Sequence, residues 1–360
     1  MSKKLLIINP GSTSTKLAVY QDEEKLFQTS ITHSAEEIAK HPRVVDQEEM
    51  RTKLITDFLY ENGLEPKDFD SVMARGGLVT GLKAGGYLVN EDLVSALKDD
   101  RYSSPHASNL GGIIAWNLAR IAGGIPAYIY DAVTGVELPE VATITGIPEI
   151  VRNGNCHVLN SHANAIKYAE SIGKKYEDLN LIVAHLGGGI SISVHNHGII
   201  CDVLGDDEYH FSPERSGSVP LLKFLDLCYS GVYSKDDMKK KVRGKGGMVA
   251  HLGTSDCREI EAMIAGGDQH AKLIYEAEAL QIAKSIGLLS VTQKGNTDAI
   301  ILTGGAAYSN ILTSNIIEYV KFIAPCKVLP GEQEMEALAL GCLRLLDGQE
   351  KANIYTLPLD

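Results

Sequence analysis

Lys4-Leu5-Leu6-Ile7-Ile8-Asn9-Pro10-Gly11-Ser12-Thr13-Ser14-Thr15-Lys16 is an apolar run that stops on a turn of small and hydroxyl residues. A second apolar run follows at 16–20. Two such runs joined by Asn, Pro, Gly and Ser predict a buried strand, a tight turn and a returning strand. The pattern recurs half a chain later: an apolar run at 181–184, the turn His185-Leu186-Gly187-Gly188-Gly189, and a second run at 190–194. Repetition at that distance predicts an internal duplication. A third glycine turn, Thr303-Gly304-Gly305-Ala306, follows an apolar run at 299–302.

Helical periodicity covers 48–62, and a strand at 71–74 leads into Arg75-Gly76-Gly77. Residues 105–121 read as a loop opening a helix, and 127–130 as a short strand ending at Asp131. A long helix is expected at 271–292 and a final one at 334–346, with Gly348 as its stop. Strands alternating with helices predict an α/β fold, and the hairpins make its sheets mixed. Two domains are expected: residues 1–150 with a C-terminal helix segment 333–360, and residues 151–332 carrying the second and third glycine turns.

With 360 residues and a net charge of −12, the chain has ample material for two cores and no basic face for nucleic acid. Its densest basic run, Lys239-Lys240-Lys241 with Arg243 and Lys245, reads as a solvated helix end. The six cysteines include no C-x-x-C pair, so neither zinc nor a redox motif is indicated, and free thiols suit a reducing compartment. The apolar run near the N-terminus is too short for a secretory signal, and no stretch has the length of a membrane span. A soluble, cytoplasmic protein is expected.

Glycine turns between strands can bind phosphate, because backbone N–H groups reach an anion where no side chain intervenes. In the first turn Ser12, Thr13, Ser14 and Thr15 add hydroxyls and Lys16 adds charge. The G-x-x-x-x-G-K-[ST] pattern is absent, and no G-x-G-x-x-G follows a strand. One such turn is more often a plain hairpin; three, each after an apolar run, are much harder to dismiss as phosphate sites.

The spacing and flanking residues resemble the acetate kinase family, in particular its butyrate kinase branch, within the actin-like, sugar-kinase and heat-shock ATPase superfamily. The resemblance rests on the segment 7–16, on 185–189, on Pro213-Glu214-Arg215-Ser216-Gly217, on Leu302-Thr303-Gly304-Gly305 and on 330–338. It implies duplicated actin-like (ribonuclease H-like) domains around a central cleft, a domain hinge, ATP/ADP and Mg2+ as cofactors, a small carboxylic acid as acceptor, and at least a dimer. It further implies that Asn9, Ser12, Ser14 and Lys16 face the γ-phosphate. His185, Gly187, Gly188, Gly189, Gly304 and Gly305 would hold the remaining phosphates and the adenosine, with Asp256 and Arg258 on the nucleoside. Arg75, Asp131, His157 and Arg215 match the catalytic positions, and Asp131 and Glu334 match acidic residues near the metal. His162 competes with His157, and Glu332 with Glu334. His106 and Asn109 resemble a loop lining the site, with helix capping as the alternative. His195 and His197 are expected to be solvent-facing strand residues.

The implied reaction is reversible: butyrate plus ATP gives butyryl phosphate plus ADP. A carboxylate with a pKa of roughly 4–5 is ionised at neutral pH and needs no general base. Catalysis then reduces to positioning and to neutralising two approaching anions. Where acetate kinases carry an aromatic before the active-site histidine, this chain has Cys156, and Gly76 and Gly77 stand where they carry bulkier residues. Together these predict extra volume for an acyl tail, with Gly77, His106 and Cys156 in the pocket. Acetate, propionate or branched-chain acids are alternative substrates, and an actin-like ATP-binding switch is the alternative that is not an enzyme.

Overall fold

The computed structural model describes residues 2–358. The chain forms two compact units, one of residues 1–135 with 333–360 and the other of residues 136–332. The segment 136–150 therefore packs with the second unit.

In the first unit β1 (Lys4–Pro10), β2 (Ser14–Gln21) and β3 (Glu24–Thr32) form an antiparallel meander. β4 (Ser71–Arg75) joins β1 in parallel, β5 (Gly86–Leu88) and β6 (Ala127–Tyr130) extend the sheet, and Asn353–Ile354 closes its edge. Among the described residues the order is Asn353–Ile354, β5, β6, β4, β1, β2, β3. Leu6 and Ile8 point to one face, where they pack with Val72, Ala74 and Ile129 against Leu110, Ile113 and Ile114 of helix Asn109–Ile121. Leu5 and Ile7 are equally buried on the other face, and helix Glu334–Leu346 packs along β1 and β4. Burial on both sides explains why β1 is a continuous apolar run without alternation. Each such side chain contributes about 1.5–3 kcal/mol.

The second unit repeats the plan. β7 (Asn180–Leu186), β8 (Ile190–Asn196) and β9 (Ile199–Leu204) form the meander. β10 (Ala299–Gly304) and β11 (Cys326–Pro330) then add in parallel, giving the order β11-β10-β7-β8-β9. That matches β6-β4-β1-β2-β3 strand for strand. Even the register shifts correspond, at Val19/Tyr20 in one meander and Val194/His195 in the other. Ile182, Ala184, Ile300 and Leu302 face Tyr275, Ile282 and Ile286 of helix Gln269–Ser290. Leu181, Val183, Ala299 and Ile301 face Ala165 and Ala169 of helix Val158–Ser171.

The expected elements are present, with ends displaced by a few residues. Strands β3 and β9 lie at sheet edges and were not expected; β3 opens on the charged Glu24-Lys25 and β9 places Asp202 in its apolar run. His195 departs from expectation: it is fully buried, as is every β8 residue from Ile190 to His195. Its Nδ1 lies 2.8 Å from the Tyr176 hydroxyl and its Nε2 2.9 Å from Ser193 Oγ. Desolvation holds its pKa at about 3, so it is a neutral core residue. His197, just past the strand, is exposed as expected.

Candidate active site

Adjacent parallel strands bring their ends together, and β1 and β4 pair through Ile8 and Ala74. Asn9 and Arg75 therefore emerge side by side. Glu334, the first residue of helix Glu334–Leu346, joins them: it accepts from Asn9 Nδ2 at 2.7 Å and from Arg75 Nη1 at 2.9 Å. A carboxylate at a helix N-terminus is favoured by the helix dipole. Arg75 Nε is buried without a hydrogen-bond partner. Desolvation, and then the Arg75 charge, hold the His106 imidazole below its usual range, which places His106 in the same neighbourhood. Its Nδ1 lies 2.8 Å from Ser108 Oγ.

Asp131 follows β6, is 1% exposed and has φ +48°. Its Oδ1 accepts from the Gly85 amide at 2.7 Å. A left-handed conformation at a residue other than glycine costs of order 1–3 kcal/mol and is concentrated at functional sites. Ser12 and Ser14 lie in the β1–β2 turn, closed by the Gly11 amide donating to Ser14 O at 2.7 Å, and Lys16 is exposed on β2 opposite Asn9.

Arg51 braces that turn from beneath. It is fully buried in helix Glu48–Glu61 and donates to the carbonyls of Gly11 (2.8 Å), Ser12 (3.0 Å) and Ser14 (3.3 Å). Gln47 Oε1 accepts from its Nε at 3.0 Å, and burial lowers its pKa to about 10. The sequence carried a signal for it: Arg51 falls on the buried stripe of its helix with Ile55 and Leu59.

The volume expected beside Gly76 and Gly77 is filled. A Cβ on Gly76 would sit 2.6 Å from Ala132 Cα, and one on Gly77 2.6 Å from Asn109 Oδ1 and from Leu97 Cδ2. These glycines permit close packing and open no pocket. Asn109 is a brace for the loops: its Oδ1 accepts from the Leu78 amide at 2.8 Å and its Nδ2 donates to Ser104 O at 3.0 Å.

In the second unit, the β7–β8 turn and the end of β10 wall a cavity of about 700 Å3, within the range of small-molecule sites. Gly187, Gly188, Gly305, Asp256, Arg258 and Glu332 are in its lining. Gly304 lies beneath at φ +89°, where a Cβ would fall 2.3 Å from Leu186 O, so only glycine lets β10 pass this close to β7. Gly189 completes the turn against Asp206. Asp256 caps helix Cys257–Ala265 and pairs with Arg258 at 2.5 Å; the bond from Arg258 lowers its pKa to about 2.

Behind the turn, His157 and His185 stack with ring centroids 3.9 Å apart and planes 13° from parallel. His185 Nε2 lies 3.2 Å from Glu332 Oε1, and its Nδ1 2.9 Å from Asn160 Oδ1. His157 Nδ1 lies 2.9 Å from Ser191 Oγ. His162 faces elsewhere, tilted against Tyr176 at 5.1 Å. Cys156 is buried beside His157. Arg215 lies 3.3 Å from Glu214 and 3.6 Å from Asp206, with its Nε buried and lacking a hydrogen bond. Sequence reading missed Ser191 and Asn160, whose spacing along the chain gives no hint of the two histidines they touch.

Among the described residues no group of three or more His, Cys, Asp or Glu forms a preformed metal cluster. Both Glu334 oxygens are engaged and Asp131 Oδ1 holds a backbone amide. Hard carboxylates without a cage fit Mg2+ that arrives on nucleotide phosphates with its own water. No helix of the described residues is long and apolar enough to cross a membrane.

A model of the acetokinase family matches residues 149–324. The chain is 46% identical over 353 residues to "Probable butyrate kinase 2" of Caldanaerobacter subterraneus subsp. tengcongensis, covering 98% of this chain and 99% of that one. It is 47% identical over 354 residues to "Butyrate kinase 1" of Clostridium acetobutylicum, with the same coverage. The crystal structure of Porphyromonas gingivalis acetate kinase superposes with a TM-score of 0.79 at 18% identity, covering 95% of this chain and 100% of that one, a likeness of fold alone. Identity of this extent over nearly the whole length, on a fold duplicated in the actin-like manner, establishes that the chain belongs to the acetokinase family.

Proposed function

We propose that this chain transfers the γ-phosphoryl group of ATP to butyrate, reversibly. A carboxylate oxygen forms a bond to the γ-phosphorus as the bond to the β,γ-bridging oxygen breaks. ADP leaves with the electron pair, and no proton needs to move. The observation that carries the reading is the cavity walled by Gly187, Gly188 and Gly305 with Asp256 and Arg258, glycines that leave backbone accessible to phosphates and a polar pair suited to a nucleoside. Identity of nearly half with two proteins named butyrate kinase supports the choice of acid.

Arg75 and Arg215 supply fixed positive charge in planar forks for the transferring group. Asn9, Ser12, Ser14 and Lys16 offer donors to the γ-phosphate. His157 donates to a phosphoryl oxygen, and its stack on His185 favours it over His162 for that role. Asp131 and Glu334 would hold Mg2+ through water, and the ion would neutralise phosphate charge. The link of Glu334 to Asn9 and Arg75 favours it over Glu332. Cys156 and His106 would border the acyl tail. Helix Leu221–Cys228 buries no side chain and leaves Leu221 and Leu222 exposed, which supports a homo-oligomer, a dimer or higher. A cytoplasmic location accords with six free cysteines.

Phosphorus NMR of the protein with ATP, Mg2+ and butyrate tests this. Acyl phosphate and ADP should accumulate in equal amounts, with negligible ATP hydrolysis when the acid is omitted. Acid-independent hydrolysis without acyl phosphate would favour a nucleotide switch.

A further inference from the structure

Ser191 is the second residue of β8, pairs with His185 in the sheet register and is 3% exposed. Its hydroxyl touches one residue twice. The His157 backbone amide donates to Ser191 Oγ at 3.1 Å, and His157 Nδ1 lies 2.9 Å from the same oxygen. Among the described residues Ser191 Oγ has no other hydrogen-bond partner, and its burial keeps bulk water away.

A serine hydroxyl has one proton to give. The amide bond uses Oγ as an acceptor, so the hydroxyl proton has one recipient, His157 Nδ1. A neutral imidazole that accepts at Nδ1 carries its own proton on Nε2. The ring is held in place as well. The His157 backbone occupies the N-cap position of helix Val158–Ser171, and its ring stacks on His185 with centroids 3.9 Å apart. His185 is anchored by Asn160, whose amide orientation is settled because Nδ2 donates to Gly331 O at 3.2 Å, leaving Oδ1 for His185 Nδ1.

We propose that Ser191 is a positioning residue that fixes His157 as the Nε2–H tautomer, so that a neutral imidazole donates to an oxygen of the transferring phosphoryl group. This rests on the assignment of His157 to the reaction given above. Such a donor acts through orientation set before the reaction begins, which is the form in which hydrogen bonds contribute most to a transition state.

The test combines kinetics with two-bond 1H–15N correlation spectra of the full-length protein labelled with 15N-histidine, His157 being assigned by its loss in His157→Gln. The native protein should show a pyridine-like Nδ1 and a pyrrole-like Nε2 at this residue. In Ser191→Ala the signature should become a mixture of tautomers, and kcat should fall roughly 10- to 100-fold with KM for ATP and acid within about threefold. Ser191→Cys, nearly isosteric but a weak donor, should behave like the alanine variant if that one folds poorly. Ser191→Thr keeps the hydroxyl and should restore both tautomer and rate to within about fivefold. In a His157→Ala background, itself impaired at least about 100-fold, Ser191→Ala should have no further effect. If His157→Ala costs activity while Ser191→Ala keeps the native kcat or the unmixed Nε2–H signature, the role of Ser191 is overturned and that of His157 stands. A near-native kcat in His157→Ala would overturn both, and a tautomer mixture in Ser191→Ala would then locate the error in the role given to His157.

Discussion

Arg75 gives one nitrogen to Glu334 and holds another, Nε, buried without a hydrogen bond. An unsatisfied buried donor is costly, and a phosphoryl oxygen would satisfy it. Arg75→Ala should therefore lower kcat by about 10³ while the KM for ATP stays within about threefold, and Arg75→Lys should not restore the rate because it lacks the planar fork. Near-native turnover in a folded alanine variant would remove Arg75 from the mechanism. Cys156 bears on the acid. Two methylenes buried at about 0.8 kcal/mol each amount to about 1.6 kcal/mol, roughly fifteenfold in kcat/KM. Cys156→Phe should shift preference toward shorter acids; an unchanged profile in a folded, active variant would place Cys156 outside the pocket. Ala132 and Asn109 occupy the space beside Gly76 and Gly77, so Cys156 is left as the residue that would free acyl volume. Those neighbours come from distant parts of the chain, and the local sequence of Arg75-Gly76-Gly77 cannot reveal them.

The β1–β2 turn depends on a helix that sequence reading located without recognising its purpose. Arg51 satisfies the carbonyls of Gly11, Ser12 and Ser14, so Arg51→Met should strand them. The expected cost is about 2–4 kcal/mol, together with a raised KM for ATP, measured by thermal unfolding and steady-state kinetics. Helix Gln269–Ser290 carries a second anomaly. Glu278 is fully buried in the core of the second unit, with neither carboxyl oxygen hydrogen-bonded, and desolvation raises its pKa to about 8. Cys257 and Tyr275 lie close enough to feel its charge. The folded protein keeps this proton between about pH 4.5 and 8 while the unfolded chain releases it, so stability falls as pH rises through that window. Glu278→Gln should raise the melting temperature at pH 9 and change it little at pH 4. Equal shifts at both pH values would show that Glu278 is ionised or solvated in the fold. Periodicity located the helix, and no period announces a lone acid on its buried face.

Across the whole molecule the duplication was legible in the sequence. Two apolar runs around glycine turns recur half a chain apart, and the two sheets share strand order and even the position of a register shift. Edge strands and the burial of His195 were not legible, because they depend on which helices cover which face. The candidate site residues were read as motifs, whereas the groups that touch them (Arg51, Asn160 and Ser191) required the tertiary structure. The reaction assigned to the whole molecule is that of a carboxylate kinase. Its most direct test is kcat/KM for acetate, propionate, butyrate and isobutyrate with ATP and Mg2+, the acyl phosphate being trapped by hydroxylamine. Butyrate should exceed acetate by roughly fifteenfold. A preference for acetate would contradict the acyl pocket, and no hydroxamate from any of the four acids would contradict the reaction.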